Sequence, residues 1–185
     1  GRGTVSDSGV NVTQRESSFK YDGKWKKKSQ KAVRDPEVAE IGPKLKRLEG
    51  DAPFNFTTGA RIIDVKGRHV NDYIQSIGGD NFTAKDFRTW AGTLLCSIAL
   101  GMEGQGQTRT ERKRKIKLAV QAAASQLGNT PAVCRSSYIC PRLLDEYMDG
   151  RPFEMLRKQH KGPPAVRVGL SKQERALLHF LRETL

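Results

Sequence analysis

The segment Phe82-Thr83-Ala84-Lys85-Asp86-Phe87-Arg88-Thr89-Trp90-Ala91-Gly92-Thr93 opens a long helix. Thr83 and Asp86 have the spacing of a capping box, with Asp in place of the usual Glu. Phe87, Trp90, Ala91, Leu94, Leu95 and Ile98 then recur at helical intervals and predict one apolar stripe. Downstream, the Gly- and Gln-rich run at Gly101–Gln107 predicts a flexible linker over residues 101–109. A basic first turn (Arg112, Lys113, Arg114, Lys115) then leads an Ala-rich helix with Ile116, Ala119, Val120, Ala123 and Leu127 on its inner side, stopped by Gly128. Pro141 opens a short helix carrying Leu144 and Tyr147. Ser171-Lys172-Gln173-Glu174 is a true capping box ahead of Leu177, Leu178 and Leu181.

Upstream of the same segment, Asp64 reads as the cap of a helix bearing Val65, Val70, Tyr73, Ile74 and Ile77, ended by Gly78-Gly79. Gly50–Gly59 reads as turn-rich, with Phe54 and Phe56 as core anchors. Asp35-Pro36 is a favourable helix start, and Gly42-Pro43 divides that segment before Leu45 and Leu48. Before it, Val10 and Val12, and Phe19 and Tyr21, alternate with polar residues as strands do, and Asp22-Gly23 is a hairpin-turn dipeptide. Beyond the turn comes the lysine-rich tip Lys24–Lys28, with the strand register left open. The expected fold is α+β and mostly helical: a small N-terminal antiparallel sheet (residues 1–34) packed on a helical portion (residues 35–185), in one domain.

Length supports a single domain, since 185 residues fall within the usual range of about 100–200. Lys and Arg number 33 against 20 Asp and Glu, giving +13, a field that attracts polyanions. At 36% hydrophobic residues the chain has enough apolar surface for one core. No stretch approaches the roughly 18–20 apolar residues of a membrane span, and Gly1–Gln14 has no apolar segment of the signal-peptide kind. Cys96, Cys134 and Cys140 read as reduced thiols of an intracellular protein. His69, His160 and His179 are scattered, so no metal site is expected. Phosphate-binding glycine motifs are missing as well: there is no G-x-x-x-x-G-K-[ST], and Gly101, Gly104 and Gly106 make no dinucleotide fingerprint.

Two segments carry a specific pattern. One is the opening helix, with Lys85-Asp86-Phe87-Arg88-Thr89-Trp90. The other is Leu127-Gly128-Asn129-Thr130-Pro131-Ala132-Val133-Cys134-Arg135-Ser136-Ser137-Tyr138-Ile139-Cys140-Pro141, where Tyr138 follows Pro131 by seven residues. Both resemble the catalytic segments of type IB DNA topoisomerases, closest to the small bacterial, poxvirus-like branch, with its K-D-x-R-T-[WY] and [HN]-T-P elements. The likeness runs from about Phe19 to the C-terminus and implies the fold of the DNA breaking-rejoining enzymes.

The resemblance implies that Tyr138 attacks a DNA phosphodiester and expels the 5′-hydroxyl, leaving a 3′-phosphotyrosyl bond. No ATP, metal or cofactor is implied, because one phosphoester replaces another. A phenol with an ordinary pKa of about 10 needs neighbouring positive charge to react, and Arg88 matches the family's phosphate-binding arginine. Lys24, in Phe19-Lys20-Tyr21-Asp22-Gly23-Lys24, matches the hairpin lysine that protonates the leaving oxygen. Like charge on Lys26, Lys27 and Lys28 is expected to lower its pKa toward the working range, and those three are rivals for the role. Asn129 stands where many relatives have His; it is either a hydrogen-bond donor to a phosphate oxygen or a conformational residue of the Gly-Asn-Thr-Pro turn. Lys26, Lys27, Lys28, Lys85 and Arg135 are expected on the DNA backbone.

The family's other arginine lies tens of residues upstream of the hairpin lysine, and counting back from Lys24 runs past Gly1; Arg2 is too near. The expectation is therefore a C-terminal catalytic fragment, impaired alone. Its partner would be double-stranded DNA, bound by a monomer in the cytoplasm at the nucleoid, with no membrane involved. A tyrosine recombinase shares the Arg/Tyr chemistry, but usually has H-x-x-R where this chain has Lys85-Asp86-Phe87-Arg88. A non-catalytic DNA-binding module is the alternative of another class.

Overall fold

Alternating polar and apolar residues near the N-terminus do form strands, and the helical periodicities downstream do form helices. The computed structural model describes residues 10–12, 17–22, 28–33, 35, 40–41, 54–151 and 169–183. They group into two units, one reaching to Tyr73 and one running from Ile74 onward. In the first, β1 (Val10–Val12), β2 (Ser17–Asp22) and β3 (Lys28–Val33) form an antiparallel sheet in the order β1-β2-β3. Val10 lies opposite Phe19, and Phe19 opposite Lys31. The register between β2 and β3 runs out to Asp22 opposite Lys28, leaving residues 23–27 between the paired ends. Lys24, Lys26 and Lys27 are among those and lie outside the described residues, as does most of the segment expected to start at Asp35-Pro36.

The turn-rich reading of residues 50–59 is corrected. Asn55–Thr58 (β4) and Arg61–Asp64 (β5) form a second antiparallel hairpin joined by Gly59-Ala60, with Asn55 opposite Asp64. Gly59 has φ +60° at the first position of the two-residue hairpin loop, a conformation glycine adopts without strain. Phe54 and Phe56 are not core anchors: they are 41% and 38% exposed, because a two-stranded ribbon has no second layer of its own to bury them. Asp64 ends β5 and caps nothing. Helix α1 instead runs over Gly67–Gly78, where the His69 Nδ1 accepts the Lys66 N–H at 3.1 Å. Its apolar stripe is exposed at Val70, Tyr73 and Ile77.

The second unit is helical: α2 (Ala84–Glu103), α3 (Arg109–Leu127), α4 (Pro131–Tyr138), α5 (Pro141–Met148) and α6 (Lys172–Glu183). At the start of α2 the Asp86 carboxylate accepts from both the N–H and the hydroxyl of Thr83, each at 2.8 Å. Those bonds, the hydroxyl's first, hold the Asp86 carboxyl below its ordinary range. Which face of α2 is buried differs from expectation. Gly92, Thr93, Cys96, Ser97, Leu100 and Gly101 are buried, whereas Trp90, Leu94 and Leu95 flank the core half-buried and Phe87 is 66% exposed. Small residues let neighbouring helices approach closely, so that face wins over the bulkier stripe.

The linker expected over residues 101–109 is shorter than its glycines suggested. Helix α2 continues through Glu103, and α3 begins at Arg109. Buried Lys115 donates through Nζ to the carbonyls of Glu103 (2.8 Å), Gly104 (3.3 Å) and Gln105 (3.5 Å). Tyr147 donates its hydroxyl to the Gly104 carbonyl at 2.6 Å, and Arg112 bonds the carbonyls of Gly106 and Met148, both at 2.8 Å. The core gathers Ile116, Ala119, Val120 and Ala123 of α3 with Cys134, Ile139, Leu143, Tyr147, Leu177 and Phe180. Thus α6 buries Leu177 and Phe180, with Leu181 packed alongside.

Helix α6 is tied to α2 by a carboxylate used twice. Glu174 accepts the Ser171 N–H at 2.8 Å through Oε2 and the Trp90 indole N–H at 3.0 Å through Oε1. The Ser171 N–H first, then the indole and the Ser171 hydroxyl, hold the Glu174 carboxyl below its usual range against the opposing pull of burial. A depressed folded-state pKa adds stability that is present above the unfolded-state value of about 4.3 and lost as pH falls through the folded value. Glu174→Gln is therefore expected to melt below wild type at pH 7, and thermal denaturation across pH 7 to 2 should show that gap closing on acidification. An unchanged gap down to pH 2 would show that the charge is not what joins the helices.

Candidate active site

Three helix ends converge in the second unit. Arg88 is the fifth residue of α2. Its Nη2 donates to the Leu127 carbonyl at 3.1 Å, at the C-terminal end of α3. Its Cζ lies 5.0 Å from the centroid of the Tyr138 ring, within cation–π range. Residues fifty positions apart in the sequence are thus in contact. Arg88 is exposed and Tyr138 half-buried, so both are reachable from solvent. Among the described residues no carboxylate forms an ion pair with Arg88 or Arg135.

Local sequence explains how each residue arrives there. Gly128 ends α3 with φ +69° and ψ +33°, the left-handed conformation that glycine adopts without strain. That turn lets the Asn129 N–H reach back to the Ala124 carbonyl at 2.9 Å. Thr130 then caps α4, its hydroxyl accepting the Val133 N–H at 3.3 Å, and Pro131 occupies the first helical position. Two turns later α4 ends at Tyr138. Asn129 Nδ2 is buried with no hydrogen-bond partner among the described residues. Leaving such a donor unpaired costs about 1–3 kcal/mol.

Another tyrosine in this unit has a different environment. Tyr147 is fully buried and bonded to Gly104, and burial pushes its phenol up. Cys134, one turn before Tyr138, is buried, and its thiol is pushed up by desolvation; Cys96 is pushed up to about 12 for the same reason. All three cysteines are free thiols, Cys140 being half-buried.

Of the residues expected at the site, Arg88 and Tyr138 are brought together, and Asn129 follows Leu127, the residue that holds Arg88, by two positions. Lys85 and Arg135 are exposed, each three residues before Arg88 and Tyr138 on its helix. Lys24, Lys26 and Lys27 lie outside the described residues. Lys28 pairs with Asp22 at the start of β3. Gly92 and Thr93 went unmarked in the sequence, although a glycine inside a strong helical pattern is a signal of close packing. Thr93 donates its hydroxyl to the Tyr138 carbonyl at 3.5 Å and accepts the Cys140 N–H at 3.0 Å. Among the described residues no group of His, Cys, Asp and Glu is placed to hold a metal ion, and no helix is long and apolar enough to cross a membrane.

A family model described as the catalytic core of eukaryotic DNA topoisomerase I matches residues 6–152. The chain is also 32% identical, over 117 residues, to the DNA topoisomerase 1B of Acanthamoeba polyphaga mimivirus; the match covers 59% of this chain and 35% of that protein. The chain spans about a third of the length of that curated relative. The matched region holds both motif segments and the site built from them, and the chain belongs to the family of DNA topoisomerase I catalytic cores.

Proposed function

We propose that this chain carries the chemistry of DNA relaxation by transient cleavage of one strand through a 3′-phosphotyrosyl bond, with duplex DNA as substrate. The observation that carries this reading is the Arg88 guanidinium over the Tyr138 ring. The Tyr138 hydroxyl oxygen bonds to the scissile phosphorus, its proton passing to water, while the bond from phosphorus to the 5′-oxygen breaks. Lys24 gives its proton to that departing oxygen. Rejoining is the reverse, and the phosphoester count never changes, so no ATP is consumed. While the strand is open, the duplex swivels about the intact strand.

Arg88 is suited to the phosphoryl oxygens because its planar fork offers five donors, of which Nη2 is engaged with Leu127. A donor already in position when charge develops contributes most, and losing one costs roughly 10²–10³ in rate. The unpartnered Nδ2 of Asn129 supports the same reading. A purely conformational Asn would have no need to keep a buried donor unsatisfied, whereas a bound phosphate oxygen would satisfy it.

Four outcomes test the proposal in the full-length protein. Tyr138→Phe should abolish both supercoil relaxation in EDTA and the covalent adduct on denaturing gels, while Arg88→Ala should slow cleavage by about 10²–10³. Relaxation that survives Tyr138→Phe would refute the nucleophile, and absence of any wild-type adduct would leave only a DNA-binding module. Affinity should fall linearly with log salt, at a slope of about −0.9 for each phosphate neutralised; a flat response would contradict backbone binding. Removing the Lys24 amine should slow cleavage at an ordinary 5′-oxygen far more than at a 5′-thiol, whose departure needs no proton. Equal losses on the two substrates would reduce Lys24 to a phosphate contact.

A further inference from the structure

A glycine inside a helix is less favourable than alanine, yet Gly92 sits in the interior of α2, one turn after Arg88. A Cβ at that position would collide with the Tyr138 carbonyl oxygen and stand 3.0 Å from the Tyr138 Cβ. The backbone of the nucleophile thus rests directly on the arginine helix. The next residue, Thr93, is 2% exposed. Its hydroxyl donates its one proton to the Tyr138 carbonyl and accepts the N–H of Cys140. Both are groups that a chain leaving one helix and entering another leaves without intrahelical partners. Ile139, between them, is 4% exposed in the core. The end of α4 is therefore held on both sides of Ile139 by a single hydroxyl, over a gap that only glycine leaves open.

We propose that Gly92 and Thr93 are the positioning residues of the nucleophile, fixing Tyr138 against Arg88 through the backbone rather than through contact with DNA. The proposal rests on the reading of Tyr138 as the attacking group. Arg88 and Gly92 are four residues apart on one helix, about 6 Å along its axis, so the seat of Tyr138 and its guanidinium partner belong to the same rigid element. A misplacement near 1 Å costs about 10²-fold in reactions that depend on alignment. The chemical step therefore bears the loss, and DNA affinity does not.

The test compares wild type with Thr93→Val, Thr93→Ser, Gly92→Ala and Leu177→Ala in the full-length protein. Three quantities are measured: single-turnover formation of the Tyr138–DNA adduct, duplex affinity, and the thermal midpoint. Thr93→Val should slow adduct formation by about 10–100-fold and Gly92→Ala by about 100-fold, each with duplex Kd within about 2-fold of wild type. Thr93→Ser, which keeps the hydroxyl, should recover a rate within about 3-fold of wild type. Leu177→Ala removes core packing on α6 and should melt lower with an unchanged rate below its midpoint. A wild-type rate in Thr93→Val, or a loss that Thr93→Ser does not recover, overturns the proposal. Should Thr93→Val fail to fold, a wild-type rate in Gly92→Ala overturns it equally. A wild-type protein that forms no adduct on Tyr138 overturns the transesterification reading itself, a result distinct from slowed variants of an active enzyme.

Discussion

The close approach of α2 to the end of α4 is the constraint on which the helical unit depends. It is possible because α2 turns a mostly small-residue face inward, Gly92, Thr93, Cys96, Ser97 and Gly101, with Leu100 the large side chain among them. Such a face buries little apolar area per residue, and its two hydroxyls must be satisfied. Ser97 donates to the Leu94 carbonyl at 2.8 Å within its own helix. Thr93 instead spends its hydroxyl on the neighbouring chain. The buried thiols of Cys96 and Cys134 add compact, polarisable packing with no charge to desolvate, burial keeping both protonated. Close-packed interiors resist small displacements, so the two helices that carry Arg88 and Tyr138 hold their relative placement.

A third element completes the arrangement. The end of α3 supplies the Leu127 carbonyl that holds Arg88 and, through Gly128, the turn that leads into α4. The other end of α3 is fixed by Lys115 and Arg112, whose side chains bond five backbone carbonyls between Glu103 and Met148. Because backbone carbonyls at a helix C-terminus carry partial negative charge, Leu127 is a suitable resting partner for a guanidinium. It is also a weaker one than a phosphate, whose full charges strengthen each N–H bond. An anion can therefore compete for donors of Arg88 without first breaking an ion pair among the described residues.

Much of this was legible in the sequence, for identifiable reasons. Caps are local, so Thr83/Asp86, Gly128 and Ser171/Glu174 each marked a helix end correctly, whereas Thr130-Pro131, which opens α4, read only as part of a turn. The pairing of Arg88 with Tyr138 was legible only through resemblance, since no local rule brings together residues fifty positions apart. What failed depended on tertiary packing. Hydrophobic periodicity pointed to Phe87 and Trp90 as the inner face of α2, but the unit buries the smaller residues because they allow the closer contact. Gly101–Gln107 looked like a linker because its three glycines favour no structure locally; the side chains that anchor it come from Lys115, Arg112 and Tyr147. At β4 and β5 the strands are four residues long, too short for alternation to outweigh the turn signals beside them.

Among the described residues the paired acids lie away from Arg88 and Arg135. Glu111 pairs with Lys115, Glu146 with Arg142 and Arg151, and Glu183 with Arg151. Asp86 and Glu174 are turned onto helix-capping donors instead. These carboxylates are spent on α2, α3, α5 and α6 as structural groups, while among the described residues Arg88 and Arg135 have no carboxylate within ion-pair distance. A carboxylate paired with Arg88 would tie down its N–H donors and cancel the positive charge beside the Tyr138 ring. The same accounting explains why Arg88 rests on a carbonyl and an aromatic face. Both hold it in place while leaving its full charge available, which a carboxylate partner would not.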